Sequence, residues 1–177
     1  MEGTVMKELL KTLKGYMNVV VLGPQRSGTR IGSKVLSHEL GYEYVDEKAF
    51  GIESEKDFKD ILRMPHPKVI QAPAMTHKAG FMASPVTAVV LMVRGMEDIS
   101  ASEKRIDWQY GAHEVRKFPE SAQCYVSAAA TKYAFWEVTV KMEDIPHCYE
   151  LRYDDLKDHK LFIEKSKRKH FKWDQTS

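Results

Sequence analysis

The stretch "VVVLGPQRSGTRIGSKVL", residues 19–36, decides the fold. A β-branched apolar run meets Gly23 and Pro24, passes through the polar trio Gln25, Arg26 and Ser27, and continues from Gly28 into a helical pattern over 30–40. This is the layout of a strand, a tight loop and a helix that starts on the loop. The first N–H groups of such a helix have no intrahelical partner and the helix dipole adds to them, so the loop is an anion cradle. Arg26, Thr29 and Arg30 add side-chain donors for the same oxygens.

Outward from this segment, apolar runs alternate with helical patterns along the whole chain, which predicts crossover units and a parallel sheet. The expected strands are Asn18 to Leu22, Glu43 to Val45, Lys68 to Ala72, Thr87 to Val93 and His147 to Arg152. "TAVVLMV" lacks polar alternation after its threonine and reads as a central strand covered on both faces. Helices are expected over 4–14, 30–40, 54–63, 96–106, about 119–142 and 154–165, with Pro119 opening the long one and Gly41 closing the second as a left-handed cap. Residues 64–86 hold Pro65, Pro67, Pro73 and Pro85 and are expected to contain loops on the ligand side of the sheet.

Length and charge bound the function. The 177 residues fit one α/β domain, divided into an N-terminal helix (1–17), a core (18–156) and a basic tail (157–177). Lysine and arginine total 27 against 25 acidic residues, a net charge of +2 that does not mark a nucleic-acid binder. Two cysteines, Cys124 and Cys148, form no CxxC pair, and no His cluster has metal-ligand spacing in sequence; the expectation is a reducing compartment and no metal site. The charged N-terminal segment lacks a signal peptide's apolar core and no run is long enough to span a bilayer, so the protein is expected to be soluble and cytoplasmic, with no membrane partner.

Gly23 and Gly28 have the spacing of G-x-x-x-x-G-K-[ST], but Thr29 and Arg30 stand where a nucleoside-triphosphatase loop carries its lysine and its magnesium-holding hydroxyl. The backbone nest survives that replacement, so the loop is suited to a phosphate bound without metal. "GPQRSGTRI" resembles the 5′-phosphosulfate loop of the sulfotransferases, roughly P-[KR]-[SG]-G-T-[TR]. Arg30 is similar to the heparan sulfate branch, and Arg26-Ser27 to the tyrosylprotein and bacterial branches. "VVLMVRGMEDISAS", residues 89–102, resembles the family's 3′-phosphate segment, in which a strand ends in arginine and a helix carries serine eight residues on; here these are Arg94 and Ser102, with Asp98 at the intermediate acidic position. "ELRYDDL", residues 150–156, is a looser match to a late strand-to-helix segment with a mostly architectural role.

The resemblance implies a three-layer α/β fold of the P-loop nucleoside-triphosphatase-like, sulfotransferase topology. It implies metal-free transfer of a sulfuryl group from 3′-phosphoadenosine 5′-phosphosulfate to a hydroxyl or amine, leaving adenosine 3′,5′-bisphosphate. On it, Gln25, Arg26, Ser27, Gly28, Thr29 and Arg30 hold the 5′-phosphosulfate end, with Arg26 near the bridging oxygen, and Arg94 and Ser102 hold the 3′-phosphate. The family's lysine and histidine after the third strand are absent in register from "VIQAPAMTHK", where His77 follows four residues after Pro73. Glu47 in "YEYVDEKAF" lies at a distance from the loop similar to that of the glutamate that the tyrosylprotein and glycosaminoglycan branches place after the second strand, so Glu47 is preferred as base, with His77 second and Asp46 as a near neighbour. The acceptor is expected to be a small molecule, a carbohydrate or a peptide in an open cleft.

Tyr133, Phe135 and Trp136 read as packing residues, His113 as part of a connection, and "KLFIEKSKRKHFKWD", residues 160–174, as a basic tail without the family's glycine-rich pattern. Three other functions remain open: a small P-loop kinase, a nucleotide-binding protein without turnover, and a nucleic-acid protein that uses the tail.

Overall fold

The computed structural model describes residues 2–49, 55–105, 115–123 and 127–164. His113, Cys124 and the tail beyond Glu164 lie outside the described residues. After the N-terminal helix α1 (Glu2–Leu13), β1 (Asn18–Leu22) leads into α2 (Thr29–Leu40), and β2 (Glu43–Val45) is followed by α3 (Glu55–Arg63). β3 (Lys68–Gln71) passes through a 3-10 segment at Pro73–Lys78 into the short α4 (Ala79–Met82). β4 (Thr87–Val93) precedes α5 (Met96–Arg105), and α6 (Ala128–Phe135) precedes β5 (Cys148–Arg152). The strands form one parallel sheet in the order β2-β3-β1-β4-β5. Val20 of β1 aligns with Ile70 of β3 and Val89 of β4.

The period-2 alternation of the strands sorts the core into two layers. Val20, Leu22, Ile70, Val89 and Leu91 pack against Phe58 of α3, Met75, Met82 and the pair Phe135 and Trp136. Val19, Val21, Val69, Val90 and Met92 pack on the other face against Leu13, Ile31, Val35 and Leu36. β1 is buried along its whole length, so each of its valines contributes on the order of 1.5–3 kcal/mol of burial. Helices on both faces and a glycine loop between the central strand and α2 make this a P-loop nucleoside-triphosphatase-like α/β fold.

Four expectations are corrected. The long helix at 119–142 is broken. Pro119 opens only a 3-10 turn at Glu120–Ala122, because Ser127 caps the real helix by accepting from Ala130 N–H at 3.1 Å. Past Phe135 the chain rewinds as a π-helix at Trp136–Lys141, over the β-branched run Val138, Thr139 and Val140. The expected helix from 154 begins instead as a 3-10 turn at Tyr153–Leu156, with helix confined to 160–164 of the described residues. Finally, only part of 64–86 is on the ligand side: Pro65 and Pro67 precede β3 and Pro85 precedes β4, at the amino ends of the strands.

Gly41 is the cap the sequence predicts, at φ 70°, donating to the Ser37 carbonyl. A Cβ there would meet nothing within 4 Å, so only the conformational term remains. Gly41→Ala is expected to cost about 1 kcal/mol in urea unfolding.

Candidate functional site

The loop between β1 and α2 stands at the carboxyl end of the central strand, where open α/β sheets bind ligands. Its shape is fixed from inside. Ser27 is fully buried, and its hydroxyl at 2.6 Å and its N–H at 3.1 Å both donate to the Pro24 carbonyl, so it closes the loop from inside and directs neither donor at a ligand. Gly23 N–H donates to Thr76 Oγ1 at 3.1 Å, tying the loop to the segment after β3. Gly28 caps α2 at φ 98°, and a Cβ there would lie 2.4 Å from the Tyr153 ring. Arg26 carries a positive φ of 68°, a conformation costly for an L residue, which turns its side chain toward β4.

On the β4 side the predicted 3′-phosphate pair meets the loop. Arg26 Nε donates to Ser102 Oγ at 2.9 Å, and Arg94 Nη1 donates to the Arg26 carbonyl at 2.9 Å. The Arg94 guanidinium lies over the Tyr153 ring, 4.2 Å from its centroid. Arg94 N–H donates to the Tyr133 hydroxyl at 2.9 Å, which fixes the end of β4. Burial, then the nearby Arg105 and Arg94 guanidiniums, push the Arg26 pKa down. Like charges gathered at a helix N-terminus are relieved by a bound anion. Arg94 Nε is buried with no hydrogen-bond partner among the described residues, a donor suited to an anionic oxygen.

On the β3 and β2 side lies a second charged group. Arg30 is half exposed and pairs with Asp46 at 3.4 Å. Thr29 is buried, with Oγ1 accepting from Gln71 Nε2 at 3.4 Å. The predicted phosphate ligands Thr29 and Arg30 therefore face β3 and β2, whereas Arg26 faces β4. Gln25 Oε1 accepts from Lys132 Nζ of α6 at 2.8 Å, and the same ammonium donates to the Pro73 carbonyl at 2.8 Å.

Asp46 and Glu47 are separated by their surroundings. Burial raises the Asp46 carboxyl, but the Lys48 N–H, the Tyr44 hydroxyl and Arg30 outweigh it and the pKa falls. Burial raises Glu47, Asp46 raises it further, and Arg30, Lys132 and Lys48 only partly oppose them. The surroundings thus push two adjacent carboxyls in opposite directions, Asp46 toward the ionised form and Glu47 toward the protonated one. A glutamate whose folded pKa exceeds its unfolded value binds more protons folded, so its contribution falls as pH rises through that window. Glu47→Gln is expected to raise the melting temperature near pH 7, with the difference vanishing below the ordinary carboxylate range. His77 sits in the Pro73–Lys78 segment with its ring edge-to-face on Phe118, 5.8 Å between centroids, against the apolar layer.

Lys132 is a site neighbour that the sequence reading passes over, Tyr133 is one it reads as packing, and Gln71, Thr76 and Tyr153 lie in segments it quotes without giving them a role at the site. Only Lys132 had a usable signal: within "AAATKYAFW" it occupies the buried stripe of Ala128, Ala129, Phe135 and Trp136, where a charge needs a reason. Away from the site, His38, Glu39 and His159 come within metal-ligating range of one another. His159 Nδ1 accepts from Leu161 N–H at 3.2 Å, which places the neutral ring's proton on Nε2, the atom 3.0 Å from Glu39. That arrangement is a hydrogen bond; a metal at Nε2 requires the other tautomer. No helix among the described residues is long and apolar enough to cross a membrane.

No family model matches the chain, and no curated protein does. Among solved structures, the chain is similar to shikimate kinase from Acinetobacter baumannii in complex with shikimate, at 14% identity and a TM-score of 0.45 over 91% of this chain and 95% of that one.

Proposed function

We propose that the chain is a sulfotransferase that uses 3′-phosphoadenosine 5′-phosphosulfate without a metal. The observation that carries the reading is the convergence of Arg26, Arg94 and Ser102, from the loop, the end of β4 and α5, beside an anion cradle. A nucleotide with a phosphate at each end of its ribose matches two anion sites that share Arg26. The α2 N-terminus holds the 5′-phosphate, and Arg94 with Ser102 holds the 3′-phosphate. Glu47 takes the proton of an acceptor hydroxyl as the oxygen forms its bond to sulfur. The bond from sulfur to the bridging oxygen breaks, and its electron pair leaves with adenosine 3′,5′-bisphosphate. Arg26 offsets the charge that develops on this leaving group.

A second reading is a small P-loop kinase, favoured by one observation: Lys132 restores a lysine to the loop, although from another element. Against it, Arg30 occupies the position of the magnesium-holding hydroxyl and is paired with Asp46. Turnover separates the readings. Protein-dependent conversion of 3′-phosphoadenosine 5′-phosphosulfate to the bisphosphate, over a panel of phenols, saccharides and tyrosine peptides, is expected to persist in EDTA. It should be reduced about a hundredfold or more by Glu47→Gln. Phosphoryl transfer from ATP that requires magnesium, with no sulfuryl transfer, overturns the proposal; tight bisphosphate binding with no turnover favours a binding protein on the same scaffold.

A further inference from the structure

The loop lacks a lysine in sequence, yet an ammonium group reaches it in space. Lys132 is 1% exposed, and its Nζ stands between Gln25 of the loop and the Pro73 carbonyl that follows β3. The strand order puts β3 and β4 on opposite sides of β1, so the sheet gives this site two flanks. Arg94 and Ser102 belong to the β4 flank, and Lys132 meets the loop on the β3 flank, where Glu47 feels its charge. A nucleotide anchored by its 3′-phosphate on the β4 flank, with its 5′-phosphate on the loop, directs its terminal group to the β3 flank.

We propose that Lys132 is a catalytic residue whose ammonium binds the non-bridging oxygens of the sulfuryl group in flight, replacing from α6 the lysine the loop does not carry. This rests on the sulfotransferase reading and deepens it. Lys132 donates to Gln25 and Pro73 in the ligand-free protein, and exchanging the neutral Gln25 acceptor for an anionic sulfuryl oxygen pairs a cation that is already buried. The position is specific. Lys132 lies among the buried residues Ala128, Ala129 and Phe135 of α6, Phe135 packs into the core, and the Ser127 cap sets where α6 begins, so the ammonium arrives on a fixed element.

The test is the ratio of affinities for 3′-phosphoadenosine 5′-phosphosulfate and adenosine 3′,5′-bisphosphate, two ligands that differ by the sulfuryl group, titrated at low temperature into the whole protein. Lys132→Met is expected to lower this ratio roughly tenfold or more, the scale of one charge-assisted hydrogen bond, with bisphosphate affinity within about threefold of wild type. Lys132→Arg is expected to retain most of the ratio. Gln25→Ala removes a competing acceptor and is expected to raise the ratio by about five- to tenfold. A ratio within about threefold of wild type in folded Lys132→Met overturns the proposal; if that variant does not fold, an unchanged ratio in Gln25→Ala overturns it. Wild-type protein that binds neither nucleotide overturns the sulfotransferase reading and this proposal together, whereas binding of both with unaltered ratios overturns only the role of Lys132.

Discussion

Arg94→Ala is expected to weaken binding of adenosine 3′,5′-bisphosphate by about 2–4 kcal/mol, roughly 30- to 700-fold, in calorimetric titration. Three features make this side chain costly to lose. It donates to the Arg26 carbonyl and so supports a loop residue held at positive φ. Its guanidinium is stacked on Tyr153, which restricts it to a plane before any ligand arrives. Its Nε is a buried donor with no partner among the described residues, and a phosphate oxygen would supply one. Ser102→Ala removes a neutral hydroxyl that also accepts from Arg26, and a loss of only about fivefold is expected. Equal losses in the two variants would show that the guanidinium does not touch the ligand and acts only through the loop. The melting temperature of each variant serves as the structural control.

Gly28→Ala is expected to destabilise the fold by about 2–5 kcal/mol in urea unfolding, through two separable causes. The first is conformational: φ is 98°, a region L residues avoid. The second is steric, because the new methyl would lie 2.4 Å from Cδ2 and 2.7 Å from Cε2 of Tyr153, whose ring is confined by Arg94 above it and packs against Phe162. Adding Tyr153→Ala removes the clash and leaves the strain. The double variant should therefore lose less than the sum of the singles, with a coupling of about 1–3 kcal/mol. Strict additivity would mean that Tyr153 does not press on the loop. The same contact assigns work to the loosest of the three sequence motifs, since "RYDDL" delivers the ring under the glycine loop and under the arginine of the second motif.

What the sequence makes legible follows from how local the cause is. The strands were readable because each is a short apolar run with turn residues at its ends; Asn18–Leu22, Glu43–Val45 and Thr87–Val93 stand where the pattern puts them. The loop was readable because glycine spacing and the following helix are neighbours in sequence. The segment after Phe118 was misread because Pro119 is an acceptable first residue of a helix, while the stronger signal, Ser127 capping Ala128–Phe135, lies eight residues on. The proximity of the two motifs on the β4 flank follows from the sequence, since each ends a parallel strand beside the other, and Arg26 meets Ser102 and Arg94 there. The β3 flank was not legible. Arg30 pairs with Asp46 across the α2 and β2 elements, and Lys132 reaches Gln25 over 107 residues of chain; both depend on strand order, which no local pattern states. The different environments of Asp46 and Glu47 are likewise tertiary, set by Tyr44, Arg30 and burial.

The most direct test is a parallel calorimetric titration of adenosine 3′,5′-bisphosphate, AMP, and ATP with magnesium. AMP keeps the base, ribose and 5′-phosphate and lacks only the 3′-phosphate, so the pair isolates Arg94 and Ser102. Two charge-assisted contacts predict that the bisphosphate binds at least about a hundredfold more tightly than AMP and more tightly than ATP with magnesium. Equal affinities for the bisphosphate and AMP, or a preference for ATP with magnesium, would contradict a 3′-phosphate site at the end of β4 and return the fold to phosphoryl transfer.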